Sequence, residues 1–255
     1  MKIGFCAKPD RLEEIRDAGF DYIELPVNHI AALSGEEFDV LLEKVRSGGL
    51  SCPAFNLLFP GTMKLLDPAC TEEEIRTYLD GALGRVSALG GRVVVFGSGK
   101  SRARPEGMSY DEAFRGLARI CVLCGEAAQK YGLTVVIEPL NRGECNMINS
   151  VAEGACLRAA ANHPNVGLLA DYYHIAMEGE PPADLKRLGG IAHCHIAALA
   201  GRRIPLEAEE GFSQMFSAMK ETGYEGLVSV EGKCEDLAKE GPVALELLRR
   251  LWAEC

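Results

Sequence analysis

The chain has 255 residues, 47% of them hydrophobic, and a formal net charge of −10. That length accommodates one large α/β domain or two small ones, and the acidic balance speaks against a nucleic-acid partner, because phosphate binding relies on clustered Lys and Arg. No apolar run approaches the ~20 residues that span a bilayer, and Lys8 and Pro9 interrupt the first apolar run before it can act as a secretion signal.

The ten cysteines are scattered, several of them inside apolar runs (Cys121, Cys156, Cys194). The single C-x-x-C pair, Cys121 and Cys124, falls in a helical pattern without a second pair, so it reads as buried helix thiols rather than a zinc ribbon. Free thiols in this number suit a reducing cytosol, and the expected location is cytoplasmic.

In chain order, Lys2 to Cys6 reads as a short buried strand, 11–18 as a helix and Tyr22 to Val27 as a second strand. Ser34-Gly35-Glu36-Glu37 forms a capping box for a helix to about Arg46, and Ser51 to Asn56 is a third strand. A second box at Thr71 to Glu74 opens a helix to about Leu89, followed by the β-branched run Arg92 to Phe96. A third box at Ser109 to Glu112 opens a helix whose buried stripe is Phe114, Leu117, Ala118, Cys121 and Ala128. Thr134 to Glu138 is strand five, and Ser150 caps the next helix. Val166 to Asp171, Ile191 to Ile196 and Leu227 to Glu231 are strands six to eight, with helices near 183–188, 212–222 and 242–253.

Strands thus alternate with helices in units of roughly 30 residues, which implies a parallel sheet, since parallel neighbours need a crossover of about a dozen residues. Eight such units in ~250 residues predict a single-domain (β/α)8 TIM barrel over 1–255 with no linker. A doubly wound open sheet calls for a Gly-rich turn after the first strand, and Phe5-Cys6-Ala7-Lys8-Pro9 lacks one.

Four late strands share an anomaly: each apolar run closes on an ionisable residue, namely Glu138, Asp171, His195 and Glu231. Parallel strands are buried on both faces and rarely carry charge. In a barrel, strand C-termini line the active site. The four residues are therefore expected to meet around one divalent ion. A set of three carboxylates and one imidazole suits Mn²⁺, Mg²⁺ or Co²⁺ better than structural zinc.

The segments Ile-Glu-Pro-Leu-Asn-Arg, Leu-Ala-Asp-Tyr-Tyr-His, His-Cys-His-Ile and Ser-Val-Glu resemble those of the xylose isomerase-like TIM barrels, a group that includes ketose 3-epimerases, hydroxypyruvate isomerase, inosose dehydratase and endonuclease IV. The separations of 33 residues from Glu138 to Asp171, 24 to His195 and 36 to Glu231 are close to those of the tagatose/allulose 3-epimerase branch. The resemblance implies a metal-dependent isomerase or epimerase acting on a small sugar. Glu138, Asp171, His195 and Glu231 would hold the ion, and Glu138 and Glu231 would double as catalytic acid and base. Mn²⁺ is the first candidate, with Mg²⁺, Co²⁺ and Zn²⁺ as alternatives. It also implies that Glu144 and His174 bind one end of the substrate. An Arg is expected about six residues after the metal His; Gly201 stands there and Arg202 follows, so Arg202 takes that place by an offset.

Epimerisation, through an enediolate, needs two proton-transfer groups on opposite faces of a planar intermediate, which Glu138 and Glu231 would supply. An aldose–ketose or hydroxypyruvate isomerase, or a dehydratase acting on a cyclic polyol, would use nearly the same site. An endonuclease IV-like nuclease needs many more histidines than the five present, and residues 196–230 hold none. A non-catalytic sugar-binding protein, and assembly into a homo-oligomer, stay open on sequence alone. His193 reads as a hydrogen-bonded barrel-interior residue, His29, Asn56 and Phe59 as loop residues near the pocket, and Gly97 and Gly99 as tight-turn glycines.

Overall fold

Residues 1–255 are all described by a computed structural model, in which eight parallel strands close on themselves. They are β1 (Lys2–Cys6), β2 (Tyr22–Pro26), β3 (Ser51–Asn56), β4 (Val93–Phe96), β5 (Thr134–Ile137), β6 (Val166–Asp171), β7 (His193–Ile196) and β8 (Leu227–Val230). Every strand pairs with the next, and β1 pairs with β8 through Lys2–Leu227, Ile3–Val228, Gly4–Ser229 and Phe5–Val230. The predicted barrel is therefore the observed one.

The three capping boxes form as expected: Ser34, Thr71 and Ser109 each accept the backbone N–H of the glutamate three residues on, whose carboxylate bonds back to the cap's own N–H. Ser150 caps its helix by accepting from Glu153, but the Glu153 carboxylate turns instead to the Asn149 N–H, 2.6 Å away. Two helices differ from expectation. The last begins at Leu237, capped by Asp236, and carries Pro242 inside it, so the proline does not mark its start. The 183–188 segment is a 3₁₀ turn over Pro182–Arg187, preceded by a one-and-a-half-turn helix at Tyr172–Met177 that follows β6 directly. Cys121 and Cys124 are buried helix thiols as read, whereas Cys156 is exposed. No helix is long and apolar enough to cross a membrane.

The main core lies between the strands and the surrounding helices. Inside the ring the filling is split. Val95, Val136 and Leu169 form a small separate apolar cluster. The other side holds Tyr22, Glu24, His193, His195 and Ser229, all with no exposed surface. Room for this polar side comes from β1, where Gly4 pairs in register with both Tyr22 and Ser229. A Cβ at Gly4 would sit inside the Tyr22 ring contact. Gly4→Ala is accordingly expected to destabilise the fold by roughly 1–3 kcal/mol in urea titration, the cost of overpacking. Gly81→Ala, on an exposed helix face with open space around it, should instead be stabilising by roughly 0.5–1 kcal/mol.

Candidate active site

Glu138, Asp171, His195 and Glu231 converge at the C-terminal mouth of the barrel, one donor atom from each lying within 4.8 Å of the others. Backbone hydrogen bonds continue the ladder just far enough to place them. The Glu138 N–H donates to the Phe96 carbonyl (3.3 Å) and the Glu231 N–H to the Ile196 carbonyl (3.1 Å). Asp171 ends β6, where Oδ1 accepts the Tyr173 N–H (2.8 Å) and caps the short helix, leaving Oδ2 for the site. His195 Nδ1 lies 3.3 Å from Glu138 Oε1 and 3.5 Å from Glu231 Oε2.

The electrostatics are those of a crowded anion cluster. Burial, reinforced by Glu231, pushes the Asp171 carboxyl up to about 6 despite the opposing charge of Arg202. Burial would also raise Glu231, but the charges on His195 and Arg202 bring it down to about 2. The donors fit a divalent ion. At metal–ligand distances of about 2.0–2.2 Å, ligands on opposite sides of an ion stand up to ~4.4 Å apart, so a set within 4.8 Å needs only slight contraction.

The three residues expected to bind substrate are there as well. His174 is buried, and its Nδ1 accepts the Asn141 backbone N–H (3.1 Å), which turns Nε2 towards Asp171 Oδ2 at 3.5 Å. Burial lowers its pKa, favouring the neutral ring. Arg202 reaches Glu144 Oε1 with Nη1 (3.0 Å) and, with Nη2, Asp171 Oδ2 (3.4 Å) and Glu231 Oε2. Its guanidinium also lies over the Tyr173 ring, 4.8 Å from the centroid. Despite the one-residue offset Arg202 faces the site, from a backbone in which Gly201 (φ 74°) and Arg202 (φ 51°) are both left-handed.

The Gly-rich segment after β4 works differently from a set of tight-turn glycines. Gly97 and Gly99 do not have positive φ; Ser98 does. A Cβ on Gly97 would instead collide with Glu138 Oε2, and one on Gly99 with the Glu144 carbonyl and Leu140. Both are glycines because the site's own residues pass so close. The same segment carries Arg102, fully buried, which donates to the carbonyls of Phe96 (2.9 Å) and Glu138 (2.7 Å) and so ties the ends of β4 and β5 together.

His29 and Asn56 line a cavity of about 370 Å³ together with Cys6, Lys8, Asn28 and Glu231. Asn56 Nδ2 donates to Glu231 Oε1 (3.0 Å). Phe59 does not join them: it is core, stacked on Tyr78 and edge-on to Phe96. His193 is the hydrogen-bonded interior residue expected, and its partner is Glu24 (2.8 Å). Glu24 and Arg102 are two functional residues not among those expected from the sequence. A carboxylate inside the apolar run Tyr22-Ile23-Glu24-Leu25 is the same anomaly that marked the other four, but here it lies inside the strand instead of closing it.

A closed parallel barrel with three carboxylates and an imidazole at its C-terminal mouth defines a barrel carrying a candidate divalent metal centre. The chain belongs to the xylose isomerase-like TIM barrel family, whose profile matches residues 12–252. It is 25% identical to the D-psicose 3-epimerase of Agrobacterium fabrum over 229 residues, 86% of this chain and 77% of the relative. It is 26% identical to the ketose 3-epimerase of Arthrobacter globiformis over 259 residues, 95% and 84% of the two chains. The crystal structure of D-psicose 3-epimerase from Clostridium cellulolyticum with D-tagatose superposes with a TM-score of 0.87 at 18% identity, covering 99% of each chain.

Because Gly97 leaves the space that the Glu138 carboxylate fills, Gly97→Ala is expected to weaken Mn²⁺ binding about tenfold or more, a loss of about 1.4 kcal/mol. Isothermal titration checks this; undiminished affinity would mean that Glu138 is not held where the four donors meet.

Proposed function

We propose that the protein is a metal-dependent sugar isomerase or epimerase, and that its reaction is epimerisation at C3 of a ketose with Glu138 and Glu231 as the acid/base pair. The observation that carries this reading is that two glutamates, each directly following a different strand (β5 and β8), both bring a carboxylate oxygen to His195 Nδ1, at 3.3 Å and 3.5 Å. An aldose–ketose isomerase shuttles a proton along one face and needs one such group; inversion needs two. The similarity to ketose 3-epimerases at 25–26% identity supports the same choice.

Glu138, Asp171, His195 and Glu231 would hold the ion, with Mn²⁺ the first candidate. Bound there, a divalent ion supplies Lewis acidity that makes the hydrogen beside a ketone oxygen removable. The chain's own groups do the rest. One glutamate takes the C3 proton into a carboxylate oxygen. The other, which enters the turnover protonated, gives its proton to the opposite face; exchange with water then resets the pair. Positioned acid/base groups of this kind contribute roughly 10²–10⁴-fold. Neutral His174, with Nε2–H turned into the site, and Arg202, braced by Glu144, are suited to the carbonyl end of the sugar. The remainder of the sugar chain has the cavity beside Asn56, His29 and Lys8 to occupy.

The test is incubation with Mn²⁺ and D-fructose, D-tagatose or L-ribulose in D₂O. The expected outcome is an epimeric ketose labelled at C3. An aldose product carrying the label at C2 would replace the reading by an isomerase, as conversion of hydroxypyruvate would. Dehydration of an inosose would make it a dehydratase, and no conversion of any of these would overturn it. Glu138→Gln and Glu231→Gln should each lower kcat by roughly 10²–10⁴-fold, while Glu144→Gln should chiefly raise KM. Chelation should abolish turnover and Mn²⁺ should restore it.

A further inference from the structure

Below the ligand set lies a carboxylate to which the proposed chemistry gives no part. Glu24, in the middle of β2, has no exposed surface and carries no Lys or Arg partner. Its Oε1 lies 2.9 Å from His195 Nε2, and its Oε2 lies 2.8 Å from His193 Nε2 and also meets the Ser229 hydroxyl. Behind Ser229 stands the Tyr22 hydroxyl, 2.7 Å from its Oγ.

The directions of these bonds follow from what each group can do. An ionised carboxylate only accepts, so both histidines must present Nε2–H to it, and Ser229 must donate to it. Ser229 has then spent its one proton, so the Tyr22 hydroxyl donates to Ser229 Oγ. His193 agrees with this assignment: its Nδ1 is buried without any partner, a tolerable place for a lone pair and a costly one for an N–H. The His193, His195 and Ser229 protons therefore all point at Glu24, and the Tyr22 proton points at Ser229 behind it.

We infer that Glu24 is a positioning residue for the metal centre: by taking the Nε2–H of His195 it fixes that ring's tautomer and orientation, so that Nδ1 faces Glu138 and Glu231 as the ligand atom. Nothing else reaches His195 Nε2 with a hydrogen bond. The inference rests on the metal-dependent reading above, but its failure can be told apart from failure of that reading.

Partners of this kind change metal affinity by about 10–100-fold when lost. Equilibrium dialysis with Mn²⁺ is therefore expected to show that loss for Glu24→Gln, whose amide can accept from only one of the two histidines. Tyr22→Phe removes a buried hydrogen bond from the same layer but none from Glu24, and should bind Mn²⁺ as the wild type does. Equal losses in the two variants would mean that the layer merely loosens, and would overturn the role of Glu24. Unchanged affinity in Glu24→Gln, with turnover intact, would overturn it and leave the proposed function standing. Absence of Mn²⁺ binding in the wild type would end both. Should Glu24→Gln fail to fold, the wild-type protein decides. In Zn²⁺-loaded, ¹⁵N-labelled protein the His195 ring is expected to show a proton on Nε2 and the ion on Nδ1; the reverse assignment would overturn the inference.

Discussion

Three carboxylates held within 4.8 Å of one another and mostly out of water are an arrangement that the fold must maintain against its own repulsion. At an effective dielectric of 20, two unit charges at that separation repel by roughly 3–4 kcal/mol. Several such pairs amount to a large part of the 5–15 kcal/mol by which a domain of ordinary stability stays folded. Loops alone would let the charges drift apart. Here each one is fastened to a different strand of a closed ring, and the ring cannot open at one place without losing its pairing on both sides.

The fastening is done by the backbone and by groups beneath the site. Glu138 and Glu231 are held by ladder hydrogen bonds to the preceding strands, and the Glu138 carbonyl is also clamped by Arg102. Asp171 is held by the helix it caps. His195 stands on the buried polar layer around Glu24. The barrel interior is divided for this reason. Branched apolar residues fill one side in the usual manner of such barrels, while the other gives up apolar packing to supply hydrogen bonds to a histidine that water cannot reach.

Much of this was legible in the sequence. Strand ends were visible because a charge closing a β-branched run has no cheap place in a parallel sheet, and helix starts because Ser34, Thr71 and Ser109 each have a glutamate three residues on. What stayed hidden was of two kinds. Arg102 acts on carbonyl groups, and a bond to main chain leaves no partner residue to find. Gly97 and Gly99 resemble any loop glycines, since a close approach by Glu138 or Leu140 depends on packing across strands. The last helix was read as too short for a different reason: Pro242 looks like a first-turn residue, but the Asp236 cap and the packing of Leu237 against the core carry the helix through it.

The seven candidate site residues differ in how they are held, and the difference matches what each is suited to do. The four metal-ligand candidates sit at strand ends, where neither rotation nor sliding is available to them. Glu144 comes from a loop and Arg202 from the end of a 3₁₀ turn over Ala200–Arg202, where two successive residues are left-handed, a conformation that costs a non-glycine residue roughly 1–2 kcal/mol. That cost is met by the charges Arg202 faces, Glu231, Asp171 and Glu144, each of which repels the others and attracts the guanidinium. His174 combines both kinds of support: it lies on a helix that starts at a metal-ligand candidate, yet its ring is oriented by Asn141 from the loop after β5. Changes in loop sequence can thus alter which molecule is held while the strand ends keep the same chemistry, the separation on which barrels of this architecture rely to serve many substrates.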